Sequence, residues 1–293
     1  MSATVPSLPP AQAHALAAAY DAATAKNRLR SLLVAVVVAA LAVLAAWFAE
    51  VKPGALKDIA HFTDYLAKTI PPISAETPRA DIVAWYWDLK NWARLLGETI
   101  LMAYLGTLFG AIGGFVLCFL ASANLVRNKA VIFLTRRFLE FCRTVPDVVF
   151  ALIFVFAFGL GPVPGVLAIS IHTAGALGKL FAEVVENIDM KPVEGLTATG
   201  ATWVQRVRFG VVPQVLSNFA SYGLLRFEIN VRGAGVLGFV GAGGIGQEFL
   251  TAIRNFYYTD VSAILLMIIA TVILIDLGTE RIRHRLLFQD QRQ

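Results

Sequence analysis

The chain has 293 residues, of which 57% are hydrophobic and 15% charged, with a net charge of +5. A soluble domain of this size carries roughly 25% charged residues, so one globular core cannot hide this much apolar side chain and part of the solvent must be lipid. The positive balance does not call for nucleic acid, because Lys and Arg collect on the cytoplasmic side of a membrane chain.

Residues 1–29 are Ala-rich and run into Lys26, Arg28 and Arg30. They read as a cytoplasmic N-terminal segment. The apolar run behind them is too long, and the leader too extended, for a cleaved signal. Ser31–Ala49 is an unbroken uncharged run, and Thr99–Val126 is a longer one. About 20 mostly apolar residues cross the hydrocarbon as a helix. Backbone groups must be paired internally there, and continuous rather than alternating runs select helices over barrel strands. The expected fold class is an all-α integral membrane protein with six transmembrane helices. They fall at 30–49, 97–125, 140–160 with Pro146 as a kink, 164–182 after the turn Gly159–Gly165, 211–227 and 260–278.

Charge sets the expected orientation. Clusters at Lys26–Arg30, Arg127–Arg137 and Arg281–Arg285 all fall inside if both termini are cytoplasmic, which agrees with an even number of spans. The loop 50–94 then lies outside. Its stretch Trp85–Trp92 (WYWDLKNW) reads as an interfacial aromatic anchor or as plain flanking sequence. The transmembrane core runs over 95–280, and 281–293 is a cytoplasmic tail.

Polar residues inside the spans mark candidate sites, since charge at membrane depth is rare and faces a bundle interior. Arg143 and Asp147 are four apart and can pair on one helix face. His172 reads as an interior hydrogen-bonder, with no Cys, Asp or Glu at ligand spacing, and no metal site is expected. Cys118 and Cys142 read as packing residues.

Two stretches stand out. The first is the loop 182–210, near thirty residues where connections are usually a few. Pro192 punctuates it. A short helix is expected at Val193–Thr199, with Glu194 in its first turn and Gly200 ending it. A second is expected at Thr202–Phe209, with Trp203, Val204 and Val207 on one side, before Pro213 opens the fifth span. Such short helices need a partner surface.

The second stretch is Arg226–Gln247 (RFEINVRGAGVLGFVGAGGIGQ). Glu228 and Arg232 are four apart and can pair, and Arg226 and Asn230 add donors. The pattern G-x-G-x-x-G occurs twice, at Gly233/Gly235/Gly238 and Gly241/Gly243/Gly246, but no βαβ context supports a dinucleotide site. Glycine here permits close helix contact and a re-entrant backbone over 228–247. The expected pathway or gate residues are Arg226, Glu228, Asn230, Arg232, Gly241, Gly243, Gly244 and Gly246.

The loop resembles the EAA motif of binding-protein-dependent ABC importer permeases: E-A-A, three residues, G, nine residues, I-x-L-P. Glu194, Gly200 and Pro213 hold its fixed points. Gly195 and Leu196 stand for Ala-Ala, Gly210 for Ile and Val212 for Leu. The stretches LGKLFAEVVENID (Leu177–Asp189), QVLSNFASY (Gln214–Tyr222) and RFEINVR with VGAGGIG resemble the phosphonate-type subfamily, and the likeness covers about 95–285. The resemblance implies a type I (MetI-like) architecture whose loop forms coupling helices seated on a cytoplasmic ATPase. Glu194, Gly195, Leu196, Gly200, Ala201, Arg206 and Pro213 would make that contact. It also implies two ATPase subunits, an extracytoplasmic binding protein for a phosphonate, phosphate or phosphite, and a second permease copy. The chain itself would bind no cofactor, with ATP and Mg on the partner, since no G-x-x-x-x-G-K-[ST] is present. Two other functions compete. A secondary transporter would need no ATPase. An intramembrane enzyme would need convergent catalytic groups at membrane depth.

Overall fold

The structure is a computed structural model that describes residues 10–49 and 59–290. Parts of three expected segments lie outside the described residues: 1–9 of the N-terminal segment, 50–58 of the outer loop and 291–293 of the tail. Among the described residues every regular element is helical. Four helices are long and apolar enough to cross a membrane, or six if each of two bent pairs counts as one span.

The chain divides into two units, residues 1–64 and 65–293. In the first, α1 (Pro10–Phe48) is one helix of 39 residues. Its Ala-rich start has high helix propensity, and its stretch Asn27–Phe48 is apolar enough to span. A short helix α2 (Ile59–Thr69) follows.

After the end of α2, which falls within the second unit, that unit carries α3 (Pro78–Trp85) and α4 (Leu89–Ala121). It continues through α5 (Lys129–Thr144), α6 (Asp147–Phe158), α7 (Pro162–Glu186), α8 (Lys191–Ala198) and α9 (Trp203–Arg206). It ends with α10 (Val212–Leu237), α11 (Ile245–Arg254) and α12 (Tyr258–Asp290).

The largest packing seam is α4 on α7, and glycine makes it. Gly106, Gly110 and Gly114 recur every four residues along one face of α4. A Cβ at Gly106 would lie 2.6 Å from Ile169 Cγ2, and one at Gly110 would lie 2.6 Å from Thr173 Cβ. At Gly114 it would lie 2.9 Å from the Gly178 backbone nitrogen. Small residues let two backbones approach closely where lipid supplies no hydrophobic drive between helices. On another face of α7, a Cβ at Gly175 would lie 2.7 Å from Cys142 Cβ, so Cys142 packs against bare backbone there.

Two bends shape the rest. The expected kink at Pro146 is a full break: α5 and α6 meet at 85°. Pro146 disfavours helix for Val145, which is extended with ψ 123°. His172 Nδ1 lies 3.3 Å from the Val145 carbonyl that the break leaves free, in position to donate to it. The break also corrects the expected Arg143–Asp147 pair. The two residues sit on different helices, and no ion pair joins them among the described residues. Asp147 instead starts α6 and accepts the Val148 N–H at 2.9 Å.

The second bend follows α10. The helix runs ten residues past its expected end at 227, so Glu228, Asn230 and Arg232 belong to it rather than to a re-entrant segment. The return is confined to Gly238–Gly244, after which α11 leaves at 50°. Gly241, Gly243 and Gly244 have φ of +85°, +81° and +76°, where a Cβ is strained. Gly238 packs within 2.7 Å of Gly246 when given a Cβ, which closes the turn on itself. Thr99 of α4 seals it by accepting the Ile245 N–H at 2.9 Å.

Two tryptophans of 85–92 reach across to α12. Trp85 Nε1 donates to the Thr259 carbonyl at 3.0 Å, and Trp87 Nε1 donates to Asp260 at 3.2 Å. Trp92 is 1% exposed, buried with Ile245, Ala252 and Ile264. This stretch fastens the start of α4 to the start of α12.

Candidate functional site

The loop between α7 and α10 folds into a compact, capped element. Pro192 sits in the first turn of α8, where its missing N–H is tolerated. Gly200 ends α8 with φ +80°. Its N–H bonds the Thr197 carbonyl at 3.0 Å, and the Ala201 N–H bonds the Leu196 carbonyl at 3.1 Å. This pair of bonds is the Schellman arrangement, which a residue with left-handed φ permits. Thr202 and Gln205 then form a reciprocal capping box at the start of α9.

The second expected helix differs in extent and direction. Only Trp203–Arg206 is α-helical, and it passes through a π-helical turn, Val207–Val211, straight into α10. The Val212 N–H reaches back five residues to the Val207 carbonyl. Pro213 explains the widening, because its ring would crowd the carbonyl four residues before it. Of the three apolar residues expected on one side, Val207 is buried and Trp203 half-buried, but Val204 is 65% exposed.

Gly210, at the Ile position of the motif, is buried. A Cβ there would lie 3.1 Å from Leu196 Cδ1 and 3.1 Å from Val193 Cγ2. Leu196, where the motif has Ala, occupies the space that Gly210 vacates. Gly195 stands in the open, with nothing within 4 Å of an added Cβ. Glu194, Gly195 and Thr197–Gly200 are exposed, and Ala201 and Arg206 are half-buried.

Polar contacts that spacing did not reveal hold this element to the bundle. Gln214 accepts the Asp189 N–H at 3.1 Å and donates to the Asp189 carbonyl at 3.1 Å, clamping the α7–α8 turn to α10. Trp203 Nε1 donates to the Leu125 carbonyl at 3.2 Å, which ties α9 to the α4–α5 elbow, residues 122–128. Asn124 donates to the Val185 carbonyl at 2.8 Å. Glu186 accepts the Ala123 N–H at 2.7 Å and pairs with Arg136, whose Nε donates to the Ala121 carbonyl at 2.9 Å. A lone Gln, Asn or Glu at a helix end carries no periodic signal, so only the fold identifies these residues as partners.

The expected pathway residues separate into two groups. Arg232 pairs with Glu228 one turn away, with Arg232 exposed and Glu228 mostly covered. Arg226 is half-buried and has no hydrogen-bond or ion-pair partner among the described residues. Asn230 is buried and faces inward. Its Nδ2 donates to Thr107 Oγ1 at 2.8 Å and Thr173 Oγ1 at 2.9 Å, joining α10 to the α4–α7 seam. Gly243, Gly244 and Gly246 are likewise buried, and Gly241 is half-buried. In this structure Asn230 and these three glycines pack protein rather than line an opening. Asp147 Oδ2 would lie 3.5 Å from a Cβ at Gly233, which brings a carboxylate to the α10 face.

Residues 114–287, which contain α8, α9 and α10, match the family described as binding-protein-dependent transport system inner membrane component. The chain belongs to that family. The permease is 41% identical over 187 residues to the phosphite transport system permease protein PtxC of Stutzerimonas stutzeri, covering 64% of this chain and 68% of that one. It is 37% identical over 244 residues to the phosphate-import permease protein PhnE of Mycolicibacterium smegmatis, covering 82% of this chain but only 44% of that one. It is 50% identical over 117 residues to the putative cryptic phosphonate transport system permease protein PhnE2 of Escherichia coli K12, covering 40% of this chain and 96% of that one. Its fold is that of a chain in the inward-facing MetNI methionine ABC transporter. The TM-score there is 0.57 at 20% identity, with 67% of this chain and 95% of that chain covered. The permease is a multi-pass inner-membrane component of a binding-protein-dependent transport system.

Proposed function

We propose that this permease carries a phosphonate-type oxyanion (phosphonate, phosphate or phosphite) inward, driven by ATP hydrolysed on a separate chain. Two copies surround one pathway, each seated on an ATPase through α8 and α9. A binding protein delivers the anion from outside, and both termini are cytoplasmic. ATP and Mg²⁺ are held by the partner, and this chain performs no covalent chemistry. The relatives' named substrates support the anion class.

The observation that carries the reading is the join between the capped element and α10. Glu194 and Gly200 present an exposed, stiff surface. The rod from α9 through the π turn is continuous with α10, and the Gln214 clamp couples the α7–α8 turn to the same helix. A push on α8–α9 is therefore delivered to α10. That helix carries Arg226, Glu228 and Arg232 beyond its midpoint. A charge facing lipid costs about 2.5–3.5 kcal/mol even on insertion scales, so the α10 face that bears them is better placed on an aqueous path or a second copy. Arginine suits a tetrahedral oxyanion because its planar fork donates in pairs. Rocking α10 would expose this face to one side and then the other.

Reconstitution tests it. The permease, its ATPase and its binding protein in vesicles should accumulate radiolabelled phosphate, phosphite or methylphosphonate only with ATP. Uptake that survives ATP depletion but collapses with the ion gradient would transfer the chain to the secondary transporters.

A further inference from the structure

A groove of about 1100 Å³ opens beside the coupling element, and the EAA-type loop forms only one of its walls. That wall is Val193, Glu194, Thr197, Trp203 and Arg206. The opposite wall is the last turn of α4, the α4–α5 elbow and the first turn of α5: Leu120, Asn124–Asn128 and Val131. Trp203 bridges the two walls at its base through the Leu125 carbonyl. The elbow is stiff, because Asn124, Glu186 and Arg136 bond it to the ends of α4 and α7.

Two features mark the groove. Asn124 Oδ1, on the elbow, and Arg206 Nε, on α9, are buried without any hydrogen-bond partner. Native structures rarely leave such groups unpaired. One is an acceptor and the other a donor, and they belong to opposite walls. The elbow rim also carries an exposed cation, Arg127, at the start of a helix whose first-turn N–H groups favour negative charge.

We infer that this groove is a second docking site for the ATPase, which inserts an apolar side chain flanked by a carboxylate. The apolar group would sit on Leu120, Val131, Val193 and Trp203, and the carboxylate would face Arg127. The surface is continuous with the exposed face of α8, so a partner seated on Glu194 and Thr197 already covers one edge of it. The inference rests on the coupling role of α8–α9 but adds residues that lie outside that loop. The ATPase would then grip the α4–α5 elbow as well as α10.

Spin labels test it on the full-length permease in nanodiscs with its purified ATPase. Thr197→Cys marks the coupling wall and Arg127→Cys the elbow, and both native cysteines are buried. Adding ATPase should reduce the access of a water-soluble paramagnetic reagent several-fold at both labels. The charge reversal Arg127→Glu, read through the Thr197 label, should raise the ATPase concentration for half-protection about tenfold. Protection at 197 with no change at 127 overturns the groove and leaves the coupling role standing. No change at either label removes the coupling role itself. Protection at 127 alone overturns the inference, because its occupant must also cover Thr197 on the opposite wall. Protection at 127 that grows with permease concentration, without ATPase, assigns the groove to a second copy and overturns the inference.

Discussion

The α4–α7 seam and the α8–α9 element solve opposite problems with glycine. Along the seam, Gly106, Gly110 and Gly114 remove side chains so that two long helices touch backbone to backbone. Gly200 has empty space around it and is needed for its left-handed φ. The seam is buried and bound mainly by contact, with the Asn230–Thr107–Thr173 cluster as its polar tie. The α8–α9 element is largely exposed and is held by caps and by single side chains, Gln214 and Trp203. A scaffold that must not shear needs area. An element that must meet a partner needs a defined shape with a free face.

Substitutions can break this contrast. The largest effect is expected from Gly110→Leu. Its Cβ would lie 2.6 Å from Thr173 Cβ and 2.8 Å from the Ser170 carbonyl oxygen, a backbone atom that cannot swing away. Overpacking of this kind costs about 1–3 kcal/mol or more, and the permease should fail to purify as a monodisperse species. A well-behaved Gly110→Leu protein with normal melting would show that the seam is loose.

Gly200→Asp should do the reverse. There is room for the side chain, so insertion and melting change by only about 1–2 kcal/mol for the left-handed strain. Uptake and ATPase co-purification should nevertheless be lost. Glu194→Trp, on the same exposed face, should match it. Retained co-purification in both would deny the element its docking role.

A smaller loss is expected from Arg232→Ala, which removes the partner of Glu228 while leaving the buried contacts of α10 intact. Transport should slow by about tenfold with assembly unchanged, and equal rates would take Arg232 off the pathway. The smallest effect concerns Leu196 and Gly210. Gly210→Ile alone should destabilise by about 1–2 kcal/mol, because Val193 and Leu196 fill that space. Adding Leu196→Ala should restore much of it, and a thermal-melting double-mutant cycle reads the coupling. Independent effects would mean the two departures from the motif are unrelated.

How much was legible differs by region. Helix existence followed from uncharged runs, and α4, α7 and α12 each begin within about eight residues of the expected span starts. Gly200, Glu194 and the Pro213 boundary were legible because each has a local backbone or capping reason. The Pro146 break was visible as a proline, but its 85° angle was not. Asn230 was misplaced: a polar residue in a span looks the same in sequence whether it lines water or bonds two threonines. The contacts of the Trp85–Trp92 stretch with α12 were hidden for a similar reason, since an amphipathic ring suits an interface and a buried contact equally.

Composition determined that part of the solvent is lipid, because the balance of apolar and charged residues is a bulk property that no folding can change, and the continuity of the apolar runs determined that the spans are helices. Local rules determined where α8 ends and where α10 must deform, since φ at glycine and the missing N–H of proline act within a few residues. Only the tertiary structure decided which polar groups meet: Asn230 with Thr107 and Thr173, Gln214 with Asp189, Trp203 with Leu125. Those bonds join residues that are 25 to 123 positions apart. Hydrogen bonding between separated elements depends on orientation within a few tenths of an ångström, and that information exists only once the helices are packed.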